Sequence, residues 1–134
     1  MNFLYPKRLR TPYIKLGIPI EEGINILKAF NSQVTEENDK EHSFRINADE
    51  FDIAVYEQNN LVSAVWFNDP SGRIWRKGKT RKIKLYLERY GELKDWELRL
   101  DNGWMHYYFN DTSGVQMVYG THNDVIRFNL LENA

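Results

Sequence analysis

The sequence predicts an α+β fold, with two short helices packed on antiparallel β-meanders. Three observations carry this expectation. Residues 96–109 read WELRLDNGWMHYYF, two alternating runs around Asn102-Gly103, a dipeptide that tolerates positive φ at both positions and favours a two-residue hairpin turn. Around 19–30 and 80–90, apolar residues recur at helical spacing. The other apolar residues fall in strand-length runs bounded by Asn, Asp, Gly and Pro.

In chain order, Pro12 and Gly17 bracket a short extended segment at 13–16. A helix is predicted from about 19 to 30. Pro19 suits its first turn, Glu21 and Glu22 favour the positive end of its dipole, and Ile20, Ile24, Leu27 and Phe30 form one stripe. Gly23 weakens this helix by ~1 kcal/mol relative to alanine. Residues 31–41, NSQVTEENDKE, read as a solvated loop. Strands follow around 44–46 and 51–56. A tight turn at Asn59-Asn60 then sets Val55 opposite Ala64 and Ile53 opposite Trp66, with 61–68 returning. The breaker cluster Asn68-Asp69-Pro70-Ser71-Gly72 places the midpoint of a single domain near 69–78.

Beyond it, Thr80 caps a helix running to Tyr90, and Gly91 stops it. Ile83, Leu87 and Tyr90 share its apolar face, extended by Tyr86. A two-residue turn in the following hairpin pairs Asp101 with Trp104, Leu100 with Met105, Leu98 with Tyr107 and Trp96 with Phe109. Trp96, Leu98, Leu100, Met105, Tyr107 and Phe109 then lie on a core face, and Glu97, Arg99, His106 and Tyr108 on the other. Strands at 115–119 and 125–130, separated by a Gly120–Asp124 turn, complete the chain.

The two halves suggest a tandem αβ repeat, about 17–68 and 80–131. A shift of 63 aligns Asn47 with Asn110, Val55-Tyr56 with Val118-Tyr119, Asn60 with Asn123 and Val62 with Val125, five identities within 42–65. Strand alternation disagrees, since it buries Phe51, Ile53 and Val55 in one copy and Val115, Met117 and Tyr119 in the other, a shift of 64. A bulge absorbs the difference, or the match is accidental.

At 134 residues the chain fits one domain that buries roughly two-thirds of its unfolded surface. The absence of cysteine excludes disulfides, a thiolate nucleophile and cysteine-ligated zinc. The opening MNFLYPKRLRTPY lacks an apolar signal core, and no uncharged run approaches the ~20 residues that cross a bilayer. A cytoplasmic protein without a membrane partner is expected. The net charge of −1 is unevenly spread, with acids dominating 21–70 and eight bases against one acid in 71–90.

Catalytic chemistry is sparse. His42, His106 and His122 have no metal-site spacing and read as isolated surface or strand histidines. Asp49, Glu50 and Asp52 lack the remainder of a calcium loop, no serine sits in a GxSxG elbow, and Gly72, Gly78 and Gly91 form no phosphate loop. No enzymatic activity, metal or cofactor is expected. The segment 73–84 is the strongest functional candidate, because seven of its twelve residues are basic and Trp66, Trp75, Tyr86 and Tyr90 lie nearby in sequence. It reads either as a binding surface or as the wet side of a helix.

The run Leu16-Gly17-Ile18-Pro19-Ile20-Glu21-Glu22, leading into a helix and a strand meander, resembles one unit of the tandem helix–sheet inhibitors of the β-lactamase inhibitor protein type. Pro19 stands where that family more often has Ser or Thr. Size, lack of cysteine, and tyrosine and tryptophan content are also similar to small bacterial toxin-immunity proteins. The resemblance implies two units forming a bipartite sheet that grips a protein partner, such as a toxin domain, and blocks it by steric occlusion. Trp, Tyr and Arg bury large areas at interfaces with little entropy loss. The partner-binding residues expected are therefore Trp66, Trp75, Arg76, Lys79, Tyr108 and Tyr119. The alternative is a nucleic-acid-binding accessory protein using Arg73, Arg76, Lys77, Lys79, Arg81 and Lys82, since cations meet phosphates and rings stack on bases. A pI near 6.3 argues against it.

Overall fold

A computed structural model describes residues 9, 11–47, 51–68, 79–120 and 125–131, with the backbone alone described at 79–82. Helix α1 (Ile20–Phe30) leads into strands β1 (Thr35–Asn38), β2 (His42–Asn47), β3 (Asp52–Gln58) and β4 (Leu61–Asn68). Helix α2 (Lys79–Arg89) and a 3-10 turn at Leu93–Asp95 lead into β5 (Trp96–Asp101), β6 (Met105–Asn110), β7 (Val115–Gly120) and β8 (Val125–Leu130). The strands form one antiparallel sheet in the order β1-β2-β3-β4-β8-β7-β6-β5. Each half is a helix followed by a four-stranded meander, and the last strands of the two meanders pair at the centre. The α+β class is as predicted. Among the described residues, no helix is long and apolar enough to cross a membrane.

Both helices lie on one face. Alternation sends Ile46, Ile53, Val55, Val65, Phe67, Ile126, Phe128, Val115, Met117 and Tyr119 to that face, where all are buried in one core. From α2, Tyr86 meets Phe67 with ring centroids 5.3 Å apart, and Tyr90, just past the helix end, meets Phe128 at 4.2 Å. The segment expected to be extended at 13–16 is not a strand but a strap over α2. Tyr90 donates its hydroxyl to the Ile14 carbonyl at 2.6 Å, and Arg89 donates to the carbonyls of Thr11 and Pro12 at 2.6 and 3.1 Å. Side chains at and just past the end of α2 thus take the place of a neighbouring strand as partners for these carbonyls. Thr80 lies inside α2 instead of capping it.

The hairpin of β3 and β4 closes at Asn59 and Asn60, both at positive φ (57° and 66°). Its register is not the expected one. Glu57 faces Val62, but Tyr56 faces Ala64, Val55 faces Val65 and Ile53 faces Phe67, leaving Ser63 as an extra residue in β4. Without that bulge Val62, Ala64 and Trp66 would share a face. With it, Val62, Val65 and Phe67 all reach the helices and Trp66 points away.

The hairpin of β5 and β6 also departs from its predicted register. Asp101 pairs with His106, so four residues separate the last partners; Asn102 Oδ1 accepts from the backbone N–H groups of Trp104 and Met105 at 3.2 and 2.8 Å, while Gly103, at φ 95°, donates to Asp101 Oδ1. A further irregularity lies at Arg99. Trp96 therefore opposes Asn110, Leu98 opposes Tyr108 and Leu100 opposes Tyr107. The single apolar face predicted for this hairpin does not form. Trp96, Leu98 and Tyr108 turn to the helix side, whereas Leu100, Met105, Tyr107 and Phe109 turn to the other. Leu100 and Trp104 are 61% and 56% exposed.

Strand β1 lies within the segment expected to be loop. Its residues, TEEN, are all exposed, so no buried alternation marks it, and its two glutamates suit a charged sheet edge. Corresponding ladder ends, Asn47 opposite Asp52 and Asn110 opposite Val115, are 63 residues apart. Side-chain faces correspond at 64, as with Ile53 and Met117. Among the described strand residues, the identities at 63 (Asn47 and Asn110, Val55 and Val118, Tyr56 and Tyr119, Val62 and Val125) therefore join residues on opposite faces of the sheet. The predicted midpoint at 69–78 and residues 121–124 of the predicted turn lie outside the described residues.

Gly23 of α1 packs where a side chain would collide, since a Cβ there would lie 2.9 Å from Val62 Cγ2. Gly23→Ala should therefore lower stability by roughly 1–3 kcal/mol despite the gain in helix propensity. Urea unfolding of the two proteins checks this; a stabilised variant would show that helix and sheet do not press together here.

Candidate partner-binding face

The face opposite the helices is organised in rows. One row runs Thr35, Arg45, Ala54, Trp66, Arg127, Val118, Tyr107 and Leu100 across all eight strands. The neighbouring row runs Glu37, Ser43, Tyr56, Ala64, Asn129, Gln116, Phe109 and Glu97. The small side chains of Ser43, Ala54 and Ala64 sit buried beside Trp66 and Tyr56 and leave room for the large rings. Tyr56, Ala64, Trp66, Tyr107, Gln116 and Arg127 line a solvent-open hollow of about 1050 Å³ that spans the seam between the meanders.

Three arginines lie over rings on this face: Arg45 over Trp66 at 4.9 Å, Arg127 over Tyr56 at 4.3 Å and Arg99 over Phe109 at 4.9 Å. Such stacking covers apolar ring surface while keeping each cation wet. Each arginine also has an acidic partner. Arg45 lies 3.7 Å from Asp52, Arg127 grips Glu41 at 2.7 and 3.1 Å, and Arg99 pairs with Asp111 and with Glu97 at 3.4 Å. Hydrogen bonding from Arg127 holds the Glu41 carboxyl below the usual carboxylate range, and Arg99 does the same for Asp111. The arginines are thus internally neutralised.

Of the residues expected to bind a partner, Trp66 stands on this face, half-buried among these groups. Tyr108 lies on the helix side opposite Met117 and packs against the core. Tyr119 is core, 3% exposed and stacked on His106, because it alternates in phase with Val115 and Met117. It is removed from the binding surface. Trp75 and Arg76 lie outside the described residues, as do Arg73 and Lys77. The backbones of Lys79, Arg81 and Lys82 lie in α2, and their side chains are outside the description. Sequence reasoning missed Arg45, Tyr56, Tyr107, Phe109 and Arg127. The available signal was their alternation with Phe44 and Ile46, Val55, His106 and Tyr108, and Ile126 and Phe128.

His42 is not isolated. Its Nδ1 meets Glu57 at 2.8 Å and its Nε2 meets Glu36 at 2.5 Å, linking three strands at the β1 edge. His106 Nδ1 meets Asp101 at 3.0 Å, away from Glu97. Among the described residues no group of three His, Cys, Asp or Glu side chains is arranged to hold a metal ion. Comparison of the chain with protein-family models, curated proteins and solved structures finds no match.

Hydrogen bonds to Glu57 and Glu36 raise the His42 pKa above 6.5. The folded state binds this proton more tightly than the unfolded chain does, so the stabilisation is complete below pH 6.5 and is lost as pH rises through the folded value. Across that interval the urea midpoint of the wild type should fall relative to that of His42→Gln; parallel curves would show that the trio does not couple to folding. A second pair of variants separates the two faces. Phe67→Ala should cost ~3–5 kcal/mol as a core truncation, and Trp66→Ala roughly 1 kcal/mol. Equal losses in thermal and urea unfolding would place Trp66 in the core.

Proposed function

We propose that this chain is a non-enzymatic protein-binding module that holds its partner against the open face of the sheet. Its action is that of an inhibitor or immunity protein, covering the working surface of a toxin domain by steric occlusion. The observation that supports this reading is the aromatic hollow across the β4–β8 seam, flanked by arginines fixed on rings. Rings and guanidinium groups held by strand registry and stacking lose little freedom on association, which favours binding. Eight strands span about 34 Å, wide enough for a standard interface of ~800 Å² per partner.

Carboxylates already neutralise the arginines of this face, leaving little surplus charge for phosphates. A nucleic-acid function would therefore use the basic 73–84 segment and not this face. Because the chain contains no cysteine, single cysteines report each face cleanly. A nuclease-treated partner should protect Gln116→Cys in the hollow from maleimide and leave Glu22→Cys on α1 reactive, and Trp66→Ala with Tyr107→Glu should weaken capture by about tenfold or more. Protection of Glu22→Cys instead, or capture unaffected by the double variant, would refute the reading. So would binding that needs nucleic acid and collapses with salt.

A further inference from the structure

The geometry points to a carboxylate-recognition site at Arg127, where Glu41 occupies the place of an acidic side chain of the protein partner. This inference rests on the open-face reading and names the partner's chemistry. Arg127 lies in the central row between Trp66 and Val118. Its guanidinium is fixed on two sides: the Tyr56 ring lies 4.3 Å beneath it, and Nε donates to Asn129 Oδ1 at 2.6 Å. What remains is the two-donor edge, Nη1 and Nη2, a fork that matches a carboxylate in plane and spacing. Here that edge holds Glu41 Oε1 and Oε2 at 3.1 and 2.7 Å.

Glu41 differs from the acids serving the other two stacked arginines. Asp52 lies on the strand next to Arg45, and Asp111 lies in the short turn after β6. Glu41 comes from the bend between β1 and β2, 86 residues from Arg127, and its side chain is 51% exposed against 29% for the arginine. Both line the same hollow. Exposed ion pairs contribute little net stability, so replacing Glu41 with another carboxylate costs little. The fork stays in place throughout, because ring and amide hold it independently of Glu41. Glu41 is therefore an internal competitor: it keeps Arg127 neutralised in the free protein and yields to a partner's aspartate or glutamate.

The probe is a blocked tripeptide, acetyl-Gly-Glu-Gly-amide, titrated into the full chain while the Arg127 Nε–H and Asn129 side-chain amide signals are followed by NMR. Glu41→Gln should bind it roughly two- to fivefold more tightly than wild type. The gain should vanish in Glu41→Gln with Arg127→Gln, and also with Arg127→Lys, which keeps the charge but not the fork. The glutamine tripeptide should move neither signal. Equal affinity in wild type and Glu41→Gln, or binding that survives loss of Arg127, would overturn the assignment. A protein partner that protects Gln116→Cys yet is indifferent to Glu41→Gln would overturn this site alone and leave the open-face reading standing.

Discussion

Pairing of β4 with β8 turns two meanders into one sheet, and the arrangement on both faces depends on its register. Val65 opposes Phe128 and Phe67 opposes Ile126 on the helix side, beneath Tyr86 of α2 and Tyr90 just after it. Trp66 opposes Arg127 on the other side. The bulge at Ser63 makes these pairings possible by bringing Val62, Val65 and Phe67 into phase with the core. A one-residue slip here would send Phe67 to water and Trp66 to the helices. The core and the proposed binding face therefore share one constraint.

On the open face, Trp66, Tyr56 and Phe109 are paired with Arg45, Arg127 and Arg99. Each stacked guanidinium shields an aromatic surface, and each has a carboxylate within ion-pair distance. At the margins, the glutamates of β1 and the irregularity at Arg99 in β5 blunt the two open edges against strand addition. The proposed binding surface is therefore the open face and not a sheet edge. Neutralisation also separates it from a phosphate-binding surface, where uncompensated cations supply most of the affinity.

Several elements were legible because their signals are local. The stripe Ile20, Ile24 and Leu27 marks α1, and Ile83, Tyr86, Leu87 and Tyr90 mark α2. Gly23, read as a helix weakness, is a packing requirement that only the position of Val62 reveals. Strand β1 escaped because its side chains are all polar and exposed. Tyr119 and Trp66 looked alike as interface anchors, yet one is core and the other faces the hollow, since strand phase decides and bulges reset phase.

The α+β class, the two helices and the strand segments long enough to alternate could be read from the residues, because they follow from periodicities of 2 and 3.6 within a dozen residues. The residues also marked Asn59-Asn60 and Asn102-Gly103 as reversals. Long-range packing set the rest: that the meanders join through β4 and β8, which side chains face the helices, and that Glu41 reaches Arg127 across 86 residues. Inter-strand hydrogen bonds and core packing select among registers that the local pattern leaves close in energy, and they act between residues far apart in the chain.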